Sequence, residues 1–278
     1  MNRWDHPEIR QLIALALAED IGTGDITTET CIPADRMAEG RYFAREGAVV
    51  AGVELLPLIF EARGGVDSIE LLRSSGDIAA PGLAVARVRG RARTLLECER
   101  TSLNFLQRLS GVATLARRYA ESVTHTRCRV LDTRKTTPGF RRLEKLAAAA
   151  GGVTNHRIGL WDAVLIKNNH ITAAGGVRAA LERFADTSLA VEIEVRTLAE
   201  LNEALDSGAK HLLLDNLSPA IARDWIAHIG GRATVELSGN INLETVAAYA
   251  ETGADFVSSG AITHQARSIN YNFRIELD

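Results

Sequence analysis

The second half of the chain is written in two alternating patterns. Short, almost wholly apolar runs at 128–133, 163–167, 191–195, 211–215, 233–237 and 255–259 alternate with stretches of helical composition at 141–150, 177–185, 198–205, 218–229 and 243–250. Continuous apolar runs suit strands covered on both faces. Their alternation with helical stretches predicts βα units around a parallel sheet. A closed or nearly closed α/β barrel is the economical solution. Because an ordinary eight-unit barrel needs about 200 residues or more, this region predicts a reduced, incomplete one.

The first half reads differently. Ile9, Leu12, Ile13, Leu15 and Leu17 recur loosely at helical spacing over 7–19, and Gly22, Gly24 and Asp25 end that helix. Strand character follows at 41–50 and 83–88, separated by a helix near 53–62 and by turns at Gly76-Asp77 and Pro81-Gly82. This predicts a small domain mixing helices with a sheet. One long helix is expected over 92–109 and a second over 112–123. At the other end, Ile269, Tyr271, Phe273, Ile275 and Leu277 alternate with Asn270, Asn272, Arg274, Glu276 and Asp278, a strand with one wet face. Such a strand does not belong in a barrel wall, and it is expected to return to the N-terminal sheet. The expected division is an N-terminal domain over 1–110, a barrel over 111–265 and a returning strand over 266–278.

Polar chemistry gathers where the barrel strands end. In order these positions carry Asp132, Thr133 and Arg134, then Lys167, Glu194, Asp215, Ser238 and Gly239, and Ser259 and Gly260. In parallel α/β barrels the C-terminal strand ends form the active-site face. Any one polar residue there could simply meet water. As a set they point to a site, because Lys167, Glu194 and Asp215 each close a largely apolar run, where an unpartnered charge is costly.

Cations cluster at Arg134 and Lys135, at His156 and Arg157 in "NHR", and at Lys167. Guanidinium forks clamp carboxylates or phosphates, and lysine acts as a point charge, so the cluster anticipates a polyanion. The loops "LSGN" and "SSGA" follow the last two barrel strands, where backbone N–H groups can cradle a phosphate. Glu192 and Glu194 lie two apart on one strand face, and Glu194, nearer the strand end, is expected to meet the site. With Asp215 it could bind ribose hydroxyls or magnesium, or simply balance Lys167. Arg141, Arg142 and Lys145 share a helix with Glu144 and read as a solvated face. His6, His125, His211 and His228 are given no role, and His170 is either a loop residue or an acid–base group.

Composition narrows the partners. With 278 residues, 46% hydrophobic, 24% charged and a formal net charge of −3, nothing advertises nucleic acid or an anionic membrane. Any anion site is therefore local. Cys31, Cys98 and Cys128 have neither metal-ligand nor CxxC spacing, which suits buried thiols in a reducing cytosol. The run at 12–18 is too short for a signal peptide and follows Asp5 and Glu8, so a cytoplasmic location is expected.

The segments "LAEDIGTGDITTE", "ERTSLNFLQRLSGVAT", "LDTRKTTPGFRRLEK", "GGVTNHRIGLWDAVLIKNNH", "VEIEV", "LLLDN" and "ELSGN" together resemble quinolinate phosphoribosyltransferases along essentially the whole chain. The resemblance implies an α/β fold, with an N-terminal α/β sandwich domain, a C-terminal incomplete parallel α/β barrel and a homodimer whose active sites are shared between subunits. It also implies the reaction. Quinolinate and phosphoribosyl pyrophosphate, with Mg2+, give nicotinate mononucleotide, pyrophosphate and CO2 on the route to NAD. Carried over position by position, Arg134, His156 and Arg157 would hold the two carboxylates of quinolinate, with Arg100 joining from the partner subunit. Lys135, Lys167, Ser238, Gly239, Ser259, Gly260 and His264 would serve the phosphates and pyrophosphate, and Glu194 and Asp215 the ribose and metal. Two departures stand out: Asn168 in "KNNH", where aspartate is commoner, and a glycine run one residue short before "VTNHR". Relatives that transfer phosphoribose without decarboxylation, molybdenum-associated relatives, a Schiff-base aldolase using Lys167 and a non-catalytic phosphosugar-binding protein are the alternatives.

Overall fold

A computed structural model describes residues 3–277. The chain divides into two compact units, one of Met1–Arg117, Thr137–Gly152 and Gln265–Asp278, the other of Arg118–Thr136 and Val153–His264. In chain order the elements begin with α1 (Pro7–Ile21), α2 (Ile26–Cys31), β1 (Met37–Ala44), β2 (Ala48–Val49), α3 (Leu56–Glu61), β3 (Ser68–Leu71), β4 (Ile78–Ala79) and β5 (Ala84–Arg91). The 31-residue α4 (Ala92–Ser122), β6 (Arg129–Leu131) and α5 (Arg141–Ala150) follow. Then come β7 (Val164–Ile166), α6 (Asn168–Ala174), α7 (Val177–Glu182), β8 (Val191–Val195), α8 (Leu198–Asp206), β9 (His211–Asp215) and α9 (Pro219–Ile229). The chain closes with β10 (Thr234–Ser238), α10 (Val246–Ala250), β11 (Phe256–Ser258), α11 (Ala261–His264) and β12 (Tyr271–Leu277).

In the first unit, an antiparallel sheet runs in the order β12-β1-β5-β3. The C-terminal strand thus returns to the N-terminal sheet, pairing Tyr42 with Phe273, whose rings lie 4.6 Å apart. Its alternation has the expected result: Tyr271 and Phe273 are buried and Arg274 and Glu276 exposed. Asp278 and the Leu277 side chain lie outside the described residues. Tyr42 is wholly buried and meets that cost with a 2.7 Å hydrogen bond to Ser102 Oγ.

Three expectations are corrected here. The helices anticipated on either side of Gly111 are one continuous α4, because its buried stripe, including Leu95, Cys98, Leu106, Leu109, Val112, Ala113 and Ala116, runs through that glycine. Gly111 is present for close approach: a Cβ there would come 2.0 Å from the Arg267 carbonyl oxygen. The face of α5 read as solvated is not so, since Lys145 is 1% exposed and Glu144 fully buried. Glu144 accepts from Arg108 at 2.6 Å and from the Thr137 hydroxyl at 2.8 Å, and Arg142 reaches Glu8 at 2.9 Å. Finally, Cys98 and Cys128 are buried, with thiols pushed up to about 12 mainly by desolvation, but Cys31 is exposed.

In the second unit, six parallel strands run in the order β6-β11-β10-β9-β8-β7. Among the described residues β6 and β7 do not pair, so the barrel is incomplete. Helices follow the strands with ordinary punctuation. In α9, Ser218 caps the first turn, Pro219 occupies the first helical position and Gly230 closes the end in a left-handed conformation. Among the described residues no helix is long and apolar enough to cross a membrane.

Candidate active site

The C-terminal strand ends of the second unit surround a cavity of about 450 Å3. Arg134, Lys135, Arg157 and Lys167 supply its cations, and Asp132, Glu194, Asp215 and Glu236 its carboxylates. Ser238, Gly239 and Asn240 form its hydroxyl and glycine loop. Of the polar strand ends read from the sequence, Asp132, Thr133, Arg134, Lys167, Glu194, Asp215, Ser238 and Gly239 share one site.

Each wall is held by local structure. A fully buried Asp132, just past β6, accepts from Asn155 Nδ2 at 2.6 Å and from the His156 N–H at 2.9 Å. Thr154 bridges to Leu131 as a short parallel extension of the sheet, so "TNHR" is laid beside β6 with its side chains at the strand-end face. Arg157 Nη1 donates to the Ala163 carbonyl at 3.2 Å. Burial, and then the charge of Arg134, lower the Arg157 pKa. Arg134 Nε is buried and has no hydrogen-bond partner among the described residues. Two guanidinium groups that repel each other, one with an unsatisfied buried donor, are an arrangement an incoming anion would relieve.

His156 is held by its ring. Nε2 lies 3.2 Å from Glu192 Oε2 and 3.3 Å from Glu236 Oε2, and Nδ1 accepts the Arg157 N–H at 2.7 Å. Burial opposes charge on the imidazole, but the bonds and charges of the two glutamates outweigh it and favour protonation up to about pH 9. A second ring proton, however, would sit on Nδ1 and face the Arg157 N–H donor to donor. The ring geometry is that of the neutral Nε2–H tautomer. Burial first, and then Glu236, raise the Glu192 pKa against the lowering effect of its bond to His156.

Glu194 and Asp215 lie at the C-terminal ends of the neighbouring strands β8 and β9. Lys167 Nζ stands 4.0 Å from Glu194. Two carboxylates of this kind fit magnesium, which takes one or two carboxylate oxygens and keeps several waters. Beside them Asn216 and Asn240 adopt left-handed backbone (φ 57° and 52°) and Gly239 has φ 100°. A Cβ on Gly239 would lie 2.3 Å from Asn216 Oδ1, so the loop needs glycine there.

The remaining candidates do not line this cavity. Ser259 is buried and donates to the Ile241 carbonyl at 2.6 Å, and Ser258 takes the place at the wall. Gly260 lies against Lys135 and His264, and His264 is exposed. Arg100 is exposed on α4. Asn168 accepts from Arg196, and His170 Nδ1 accepts the Lys167 N–H at 2.9 Å, closing the first turn of α6. Of the histidines given no role, His125 faces Glu251, His211 Thr234 and His228 Asn202. Sequence reasoning passed over Glu236, hidden in "ELSGN", whose place on the second-to-last barrel strand was its only signal.

Comparison with known proteins now bears on this site. Residues 25–110 match the N-terminal domain of quinolinate phosphoribosyl transferase, and residues 112–274 match its C-terminal domain. The chain belongs to the quinolinate phosphoribosyltransferase family. Within it, the chain is 39% identical over 297 residues to the chloroplastic carboxylating nicotinate-nucleotide pyrophosphorylase of Arabidopsis thaliana, covering 98% of this chain and 85% of that one. The crystal structure of NadC from Streptococcus pyogenes superposes with a TM-score of 0.92 at 36% identity, over 98% and 97% of the two chains. That of the nicotinate-nucleotide pyrophosphorylase from Francisella tularensis gives 0.90 at 35%, over 99% of each. The fold expected of this family was an N-terminal α/β domain and an incomplete parallel barrel; the first unit builds its domain on an antiparallel sheet and the second carries the parallel strands.

Proposed function

We propose that this cavity transfers phosphoribose from phosphoribosyl pyrophosphate to quinolinate and releases CO2, forming nicotinate mononucleotide and pyrophosphate for NAD synthesis. The observation that carries the reading is that cations with an unsatisfied buried guanidinium nitrogen, strand-end carboxylates and a hydroxyl-glycine loop line one cavity. Arg134 and Arg157, with an unsatisfied buried guanidinium nitrogen, suit the two adjacent carboxylates of quinolinate. Glu194 and Asp215 suit the ribose, where positive charge develops as its bond to pyrophosphate breaks. Lys135, Lys167 and the Ser238-Gly239 loop suit phosphate oxygens, with Gly260 and His264 beside Lys135.

In the chemical step the pyridine nitrogen forms a bond to the ribose anomeric carbon as the carbon–oxygen bond to pyrophosphate breaks. The electron pair left by the departing CO2 stays on the adjacent ring carbon, where the now cationic ring nitrogen stabilises it, and that carbon then takes a proton from water. The arginines need only hold the ring and partly desolvate the carboxylate that leaves. Glu194 and Asp215 would hold Mg2+, whose charge favours departure of pyrophosphate. The reading includes a homodimer in which Arg100 reaches the partner's cavity, and a cytoplasmic location.

A Schiff-base role for Lys167 fits less well. Its side chain is 54% exposed and faces a carboxylate, whereas such lysines are desolvated or flanked by cations. The test is pyrophosphate release from phosphoribosyl pyrophosphate with quinolinate or with nicotinate, which lacks the second carboxylate. The reading expects release with quinolinate and little with nicotinate. Equal rates with both, or release with neither, would reject it.

A further inference from the structure

Two carboxylates inside the barrel have no part in that chemistry. Glu192 on β8 and Glu236 on β10 flank β9, and Glu236 lies level with Glu194, since both pair with Leu213. Glu236 is 4% exposed. Buried acids side by side are costly, and apolar residues of similar volume would pack the barrel at less expense. Their position therefore needs a reason beyond stability.

The reason lies in the ring they hold. Nε2 of His156 faces both glutamates at 3.2 and 3.3 Å, Nδ1 takes the Arg157 N–H at 2.7 Å, and the His156 N–H is fixed on Asp132 at 2.9 Å. A neutral imidazole has one donor and one acceptor, and both are spent on the protein. That leaves His156 no hydrogen bond for a substrate carboxylate, the role the family resemblance implied for it. The ring instead clamps the backbone at Arg157, one of the two residues that face the anion. We infer that Glu236, together with Glu192, is a positioning residue that fixes the His156 ring and, through its bond to the Arg157 N–H, aims the Arg157 guanidinium at the substrate.

This rests on the reading of the cavity as a quinolinate site, and the measurements keep the two apart. Glu236→Leu removes an acceptor while preserving bulk, and Glu236→Gln restores an oxygen able to accept from Nε2–H. A guanidinium misplaced by about 1 Å costs up to ~100-fold. The expected result for Glu236→Leu is therefore a rise of roughly 10- to 100-fold in the quinolinate KM, with the phosphoribosyl pyrophosphate KM changed less than about twofold. Glu236→Gln should recover most of that loss. A folded Glu236→Leu protein with an unchanged quinolinate KM, or with both KM values raised equally, would overturn the inference. If the wild-type protein does not turn over quinolinate, the functional reading fails instead.

A second measurement needs no variant. In protein labelled with 15N-histidine, His156 should show a protonated Nε2 and an unprotonated Nδ1 at neutral pH, and both signals should hold their tautomeric positions when quinolinate is added. An imidazolium, or a ring nitrogen that changes partner on quinolinate binding, would overturn it. So would one equivalent of a divalent metal bound at His156, Glu192 and Glu236, whose ligand atoms lie within 4.8 Å of one another.

Discussion

Replacing Arg134 by alanine should weaken the enzyme and strengthen the fold together. Each charge-assisted hydrogen bond lost to a carboxylate is worth about 1.5–3 kcal/mol, or roughly 10- to 150-fold in binding. The quinolinate KM should therefore rise by at least about tenfold, and that for phosphoribosyl pyrophosphate far less. In the free protein the same substitution removes a buried donor without a partner, a burden of about 1–3 kcal/mol, and the positive neighbour that depresses Arg157. Loss of packing by the arginine stem offsets part of this. A net gain of about 1 kcal/mol corresponds to some 2–4 °C in Tm for a chain of this size. Steady-state kinetics with each substrate varied in turn, and thermal melts without ligand, measure the two arms. A Tm that falls by several degrees while the quinolinate KM stays constant would refute the reasoning, because the arginine would then be a structural strut.

Three further outcomes follow from the structure. Glu144→Ala removes the buried carboxylate to which the Arg108 guanidinium and the Thr137 hydroxyl donate; it should cost about 2–4 kcal/mol in urea unfolding, and a cost under 0.5 would mean the network is slack. Glu46 is held at about 2, well below the ordinary carboxylate range, by its bond to Arg267 and then by the Asn270 N–H. Because the unfolded chain binds the proton first, its contribution is present above about pH 4.5 and lost as pH falls toward 2. Wild type should therefore exceed Glu46→Gln in stability at pH 7, the gap closing below pH 4, and a gap constant with pH would contradict this. Mixing inactive Arg100→Ala and Lys167→Ala subunits should restore activity in verified mixed dimers if Arg100 crosses to the partner's site, and no recovery would count against sharing.

Much of the fold was legible because it follows from burial. β8 and β9 begin and end where their apolar runs do, and the period-two tail returned to the sheet that could cover one of its faces. What escaped were features set by distant partners. Gly111 looked like a helix break because the Arg267 carbonyl pressed against it is more than 150 residues away along the chain. Lys145 looked solvated because charge was taken for exposure. The short β3 and β4 carry too little apolar pattern to announce themselves. In the site, strand-end logic found Arg134, Lys167, Glu194 and Asp215, since polar groups after apolar runs must meet solvent or ligand. It missed Glu236, which is buried within a strand and answers to a histidine 80 positions earlier.

The central claim, decarboxylation coupled to phosphoribosyl transfer, is tested most directly by supplying quinolinate carrying a labelled carboxylate adjacent to the ring nitrogen, phosphoribosyl pyrophosphate and magnesium. Pyrophosphate and labelled CO2 are then counted in the same reaction. The account predicts one of each per turnover. Pyrophosphate without CO2, or CO2 without phosphoribosyl pyrophosphate, would contradict it.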